Sequence, residues 1–143
     1  MIPEPAVTSI QKQNANIKVL FNMTDEWDKV SDTKLVQGVL IARKDVIEKY
    51  PEEIKLFVEE YSASVEFVNG NPAEAANSIV NYGIVANAQI AQAAIPGCNV
   101  VSYNGSKMQA DVDAMLNVLY GLAPASIGGK LPDSEFYYVI ENK

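Results

Sequence analysis

The sequence contains no histidine, one cysteine and no long apolar run, and each absence removes a class of function. Without histidine, the 143 residues cannot hold a Ser-His or Cys-His nucleophile pair, a His-ligated zinc ion or the commonest general base at neutral pH. Cys98 has no second cysteine for an intramolecular disulfide, and we interpret it as a small, partly buried side chain after a Pro-Gly turn. We therefore expect no catalytic residue, no metal ligand and no cofactor.

Basic residues are also scarce, because 11 Lys and Arg stand against 18 Asp and Glu, for a net charge of −7. Such a charge repels nucleic acid and anionic membrane surfaces, so we expect no nucleic-acid partner. No apolar run reaches the roughly 18 residues that a membrane span requires. The first residues have neither the charged start nor the apolar core of a signal peptide. We therefore expect no membrane span and no signal peptide in this chain.

Apolar residues make up 48% of the sequence, which is enough for the core of one domain of ordinary size. The segment from Val36 to Arg43 is mostly β-branched or aliphatic, which predicts a buried strand. Ile17 to Phe21 and Val100 to Tyr103 predict two further short strands. Because the two strands of the first 43 residues do not alone make a stable sheet, we expect that sheet to be completed by polypeptide outside this chain or by a second copy.

Helical patterns dominate the sequence after Arg43. The longest follows Pro51, where apolar residues recur at the spacing of one helix face over about 17 residues. These apolar residues are Ile54, Phe57, Val58, Tyr61, Val65 and Val68. Asn71 with Glu74 predicts a capping box at the start of the next helix, and Gly83 predicts its left-handed end. Further helices are predicted near residues 5–14, 24–28, 86–94 and 106–119.

Three single aromatic residues leave two interpretations open. Trp27, Tyr82 and Tyr103 could stack on a planar ligand, or they could pack into the core. An isolated aromatic residue is more typical of a core than of a ligand site, so the core interpretation is the one that we favour.

Six stretches, taken in order, carry a resemblance to a known family. They are Pro3-Glu4-Pro5, Glu26-Trp27, Gly38 to Asp45, Asn71 to Ala76, Ala94 to Asn99 and Ser126 to Asp133. No stretch is specific alone, but their order and spacing cover nearly the whole chain. The chain resembles the carboxy-terminal half of type II solute-binding proteins of ABC importers, in the group of nitrate, sulfonate, taurine and thiamine-pyrimidine-precursor binders.

The resemblance implies an α/β fold, namely a fragment like a type II periplasmic binding protein, rich in helices and with a few strands. In that family two α/β lobes clamp a small ligand, and the chain crosses between the lobes at hinge strands. Residues 1–43 would be the end of the second lobe with the returning hinge strand. Residues 44–143 would be the helical part that closes the first lobe, whose beginning would precede Met1.

The resemblance also implies binding without catalysis. A small polar or heteroaromatic solute would sit in the inter-lobe cleft and be delivered to the ABC permease. Pro3, Glu4, Gln37 and Gly38 would line that cleft, because they stand where the family's chain passes the hinge. Gly38 could equally serve only to permit a twist or a bulge in the strand. The full-length protein would be extracytoplasmic, either periplasmic or a cell-surface lipoprotein. The family often has a basic residue where Gly97 stands, and this departure weakens the expectation of an anion contact there.

Two other functions compete with solute binding. The first is a small acidic helical protein whose apolar faces serve oligomerisation or interaction without any ligand. The second is an enzyme that makes the pyrimidine precursor of thiamine, as some relatives do, but that activity needs histidine. We also expect the isolated chain to be a dimer or higher oligomer that exchanges its amino-terminal segment across a hinge at Arg43.

Overall fold

The structure is a computed structural model that describes residues 1–140, which form seven α-helices and three 3₁₀ turns. The helices are α1 (Ala6–Gln13), α2 (Met23–Asp28), α3 (Lys44–Lys49), α4 (Pro51–Gly70), α5 (Pro72–Asn81), α6 (Ala88–Ala94) and α7 (Gly105–Leu122). The 3₁₀ turns span Ile95–Cys98, Pro124–Ile127 and Ser134–Phe136. The helices predicted from periodicity are therefore all present. Within this described part, no helix is both long and apolar enough to cross a membrane.

Residues 1–140 contain no β-strand, so the predicted α/β, periplasmic-binding-protein-like fold class is wrong. The stretches predicted as strands, Ile17 to Phe21, Val36 to Arg43 and Val100 to Tyr103, have no regular secondary structure. Their successive apolar residues are typical of strands, but a strand forms only where its backbone pairs with a neighbour. Because no neighbouring strand exists among the described residues, these stretches remain irregular.

Side-chain hydrogen bonds to α4, rather than strand pairing, hold the segment around residues 100–102. The Asn69 side-chain amide, near the end of α4, donates a hydrogen bond of 2.9 Å to the carbonyl of Val100. The hydroxyl groups of Ser62 and Ser102 lie 2.6 Å apart. Two side chains of α4 therefore hold this segment along the helix, and no backbone ladder is needed.

Several helix ends agree with the sequence, but their caps differ in detail. Pro72 opens α5 with Asn71 at its cap position, yet the Asn71 side chain donates back to the Phe67 carbonyl and leaves the predicted capping box unmade. The α2 helix, predicted near residues 24–28, begins at Met23 and is capped by Asn22, whose side-chain oxygen accepts from the Thr24 amide at 3.0 Å. The positive φ of Gly83, +69°, confirms a left-handed end after α5.

The chain divides into two compact units, Met1–Val19 with Tyr50–Ser102 and Leu20–Lys49 with Tyr103–Lys143. Each unit joins segments that are distant in the sequence. The predicted division at residue 43 concerns the lobes of a larger protein and stays a prediction.

The first unit contains most of the buried side chains. Its helices α5 and α6 pack through alanines, since Ala75, Ala76, Ala91 and Ala94 are all buried, with Ile95 beside them. Small side chains allow two helix backbones to approach closely. Val65 is the buried member of the α4 stripe, whereas Phe57, predicted on the same face, is 51% exposed. The core is therefore compact but built from small residues.

The second unit is organised around α7, which packs on the turn Pro124–Ile127 and buries Val112. The segment after the turn is attached by polar contacts. Tyr137 donates a hydrogen bond of 3.2 Å to the carboxylate of Asp113, and the Lys44 ammonium lies 3.4 Å from a Glu135 oxygen. Exposed ion pairs of this kind contribute little to stability, so this unit relies on few buried contacts.

The three single aromatic residues differ in their surroundings. Tyr82 is 84% exposed, and Tyr103 is also exposed, so the core interpretation is wrong for both. The ammonium of Lys107 lies 4.2 Å from the centre of the Tyr103 ring, a cation-π contact. Trp27 is half-buried, and its indole N–H donates to the carbonyl of Thr33 at 2.9 Å. None of these contacts indicates a stacked ligand.

Candidate functional site

Glu4 is the predicted site residue with the most defined surroundings. It stands directly before α1, and its Oε2 atom accepts a hydrogen bond of 3.3 Å from the backbone N–H of Thr8. A carboxylate in this place also faces the positive end of the α1 dipole. The side chain is half-buried because α1 packs on α6 in the first unit. The local structure therefore holds the Glu4 carboxylate in one place.

The other oxygen of this carboxylate lies against Gly97 in the turn that follows α6. A methyl group added to Gly97 would lie 3.0 Å from Glu4 Oε1 and 3.1 Å from its Cγ atom. Real side-chain contacts are seldom that close, so a side chain at this position would require Glu4 to shift by a few tenths of an ångström. The absence of a side chain at Gly97 therefore leaves room for Glu4, and an acidic group occupies this corner.

Cys98 lies next to the same corner, and the negative charge of Glu4 acts on its thiol. Partial burial raises the pKa of the Cys98 thiol, and the negative charge of Glu4 raises it further. The thiol is exposed at the surface and is not in a disulfide. Because the thiolate is the reactive form, a raised pKa makes this cysteine a weak nucleophile at neutral pH. The raised pKa therefore does not favour thiol chemistry at this corner.

The remaining predicted site residues have fewer contacts. Pro3 is exposed, and its carbonyl accepts a hydrogen bond of 3.2 Å from the Val7 amide. Gln37 and Gly38 are exposed in the irregular segment before α3, in the second unit. A methyl group on Gly38 would meet no described atom within 4 Å, so neither close approach nor a positive φ requires glycine there. Their role as ligand contacts stays a prediction.

The contact between Glu4 and Gly97 is a feature that the sequence alone did not predict. The two residues are far apart in the chain, and no periodic pattern links them. The only signal was that both belong to stretches on which the family resemblance depends. Elsewhere in residues 1–140, no group of three or more Cys, Asp or Glu side chains is placed to hold a metal ion.

No family model matches the chain, and neither a curated protein nor a solved structure matches it. The resemblance to solute-binding proteins therefore depends on the six sequence stretches given above.

Proposed function

We propose that the chain is part of a solute-binding protein of an ABC importer, binding a small polar or heteroaromatic solute and delivering it to a permease without catalysis. The observation that carries this proposal is the contact between Glu4 and Gly97. It joins two of the stretches that resemble the family, Pro3-Glu4-Pro5 and Ala94 to Asn99. Delivery to a permease and an extracytoplasmic location belong to the same proposal.

The charge of the corner indicates which solutes it can hold. Where the family that the chain resembles often has a basic residue that suits an anion, this chain has Gly97 with the Glu4 carboxylate beside it. A carboxylate accepts hydrogen bonds and attracts positive charge, and it repels sulfonate or nitrate. We therefore propose a solute that presents an amino group or a ring N–H, such as an aminopyrimidine.

A thermal-shift screen of the complete chain tests this proposal. We expect aminopyrimidines or small amines to raise the melting temperature, because a ligand that binds only the folded state stabilises it. Nitrate and methanesulfonate, which are anions without an amino group, should have no effect. Glu4→Gln should abolish the shift, whereas Glu74→Gln, which removes an exposed carboxylate from α5, should retain it. If the anions gave the shift, or if Glu4→Gln kept it, the proposed solute class would be wrong.

A second candidate function is association without a ligand. It is favoured by the many large apolar side chains that are exposed in both units, among them Leu56, Phe21 and Ile41. Large exposed apolar patches often mark interaction sites. In that case no solute would change the melting temperature, and the melting temperature would instead rise with protein concentration.

A further inference from the structure

The irregular segment of residues 36–42 has the properties of a strand that lacks its partner. Val39, Leu40 and Ile41 are consecutive, and they are 53%, 60% and 83% exposed. Among the described residues, no hydrogen-bond partner is found for any backbone N–H or C=O group of residues 36–42. Unpaired backbone groups next to exposed apolar side chains are a template for pairing with another chain.

The charges around this segment favour a second copy as the partner. No charged residue lies between Lys34 and Arg43, so identical segments can approach each other without direct repulsion. The flanking cations are already accompanied by carboxylates of their own chain. Lys34 lies 3.4 Å from Asp28, Arg43 lies 2.6 Å from Asp45, and Lys44 lies 3.4 Å from Glu135. The charges next to the segment are therefore paired within each chain, whereas the net charge of −7 on each copy opposes association and contributes to a weak dimer.

We propose that residues 36–42 of two copies pair as antiparallel strands about a twofold axis at Leu40. A twofold axis places one residue opposite its own copy, and Leu40 is the choice that pairs the exposed apolar residues with each other. Leu40 then faces the partner's Leu40, and Val39 faces the partner's Ile41. An axis at Val39 would instead place Ile41 opposite Gln37 and Leu40 opposite Gly38.

This pairing gives the segment what it lacks within its own chain. Backbone groups of the two copies satisfy each other, and opposite side chains lie about 4.5–5.5 Å apart at Cβ. Two strands alone are only marginally stable, so the dimer is weak and depends on concentration. The proposal does not depend on solute binding or on exchange of the amino-terminal segment.

Disulfide trapping tests the register directly. Cys98 is replaced by Ser, and a single cysteine is introduced as Leu40→Cys or, as the control, Gln37→Cys. Disulfides need Cα atoms about 4.4–6.8 Å apart. The proposed register brings position 40 opposite its copy, whereas the two copies of position 37 are separated by six residues, about 20 Å. Circular dichroism establishes that both variants retain the helical content of the parent chain.

Under mild oxidation, Leu40→Cys should form the covalent dimer at least about tenfold faster than Gln37→Cys, because only position 40 meets the distance requirement. Equal rates at the two positions, or no dimer from Leu40→Cys, would overturn the proposed pairing. Neither measurement requires a solute, so failure here is distinct from failure of the solute proposal.

Light scattering coupled to size exclusion provides an independent measurement. The unmodified chain should shift from 15.6 kDa towards twice that mass as its concentration rises. Ile41→Lys should weaken association at least about tenfold, because it places a charge in the paired strand. Val30→Lys is the matched control, since Val30 is also 83% exposed, and it should leave the association unchanged. A monomer at every concentration, or an equal effect of both substitutions, would contradict the proposal.

Discussion

At the scale of single residues, the corner formed by Glu4, Gly97 and Cys98 has a measurable electrostatic signature. The Cys98 pKa is raised first by partial burial and then by the charge of Glu4. We predict that Glu4→Gln lowers this pKa part of the way towards its ordinary value, because the charge is removed while the burial remains. The pH dependence of thiol alkylation measures the change. Glu74→Gln should leave the pKa as it is, and an unaltered profile in Glu4→Gln would contradict the assigned cause.

Tyr137 provides a second residue-scale prediction. Partial burial, the hydrogen bond to Asp113 and the charge of Asp113 all raise the Tyr137 pKa above its ordinary value of 10.0. The folded state therefore holds this proton more tightly than the unfolded state, so its stabilising effect is present below about pH 10 and is lost as pH rises through the raised pKa.

We predict that Asp113→Asn lowers the Tyr137 pKa and moves this alkaline loss of stability to lower pH. The tyrosinate absorbance titration, with that of Tyr137→Phe subtracted, measures the pKa. Urea unfolding at several alkaline pH values measures the stability. If Tyr137 titrated at the same pH in the parent chain and in Asp113→Asn, the contact with Asp113 would not exist in solution.

At the scale of elements, the packing of α5 on α6 depends on small side chains. Ala76 is almost fully buried in this contact, whereas Ala73 on the same helix is exposed. We predict that Ala76→Leu destabilises the chain by about 1–3 kcal/mol, because the added atoms overfill a closely packed contact. Ala73→Leu should be nearly neutral. Urea unfolding compares the two variants, and an equal effect would mean that the two helices do not meet at Ala76.

The cost of truncating an apolar side chain on α4 or α7 should depend on how deeply that side chain is buried. The sequence pattern alone predicts that Phe57→Ala and Leu116→Ala each cost roughly 2–5 kcal/mol. Because Phe57 is 51% exposed, we expect its truncation to cost less than about 2 kcal/mol, since little buried surface is lost. Leu116 on α7 is half-buried, so Leu116→Ala should lower the free energy of unfolding by more than Phe57→Ala does. Denaturant unfolding measures both, and a larger effect at Phe57 would show that another surface covers it.

The sequence predicts those elements whose signals are local, and it fails where an element depends on a distant partner. The helices were predictable because their signals are local, such as the apolar spacing of α4 and the Asn71-Pro72 start of α5. The sheet was predicted wrongly because the apolar run from Val36 to Ala42 has the composition of a strand, but a strand also needs a neighbour to pair with, and no described residue provides one. Glu4 was selected from the resemblance, but its contact with Gly97 depends on how α1 packs on α6, which no local pattern contains.

At the scale of the whole molecule, burial is unevenly distributed between the two units. Of the seven apolar residues that are buried within residues 1–140, six belong to the first unit, and Val112 is the one in the second. We predict that the amide hydrogens of α5 and α6 exchange slowest, because protection follows burial and hydrogen bonding. Residues 36–42 should exchange fastest in dilute solution and become protected as concentration rises. Mass spectrometry after deuterium labelling measures this, and strong protection of residues 36–42 in the dilute monomer would contradict it.

The alanine-rich contact between α5 and α6 also determines how the chain responds to temperature. Unfolding a core of small side chains exposes little new apolar surface, and that surface sets the heat-capacity change. We expect a heat-capacity change per residue below the ordinary value of about 12–15 cal/mol/K. The curve of stability against temperature should accordingly be less strongly curved, so that the folded state loses less stability when the chain is cooled far below its melting temperature.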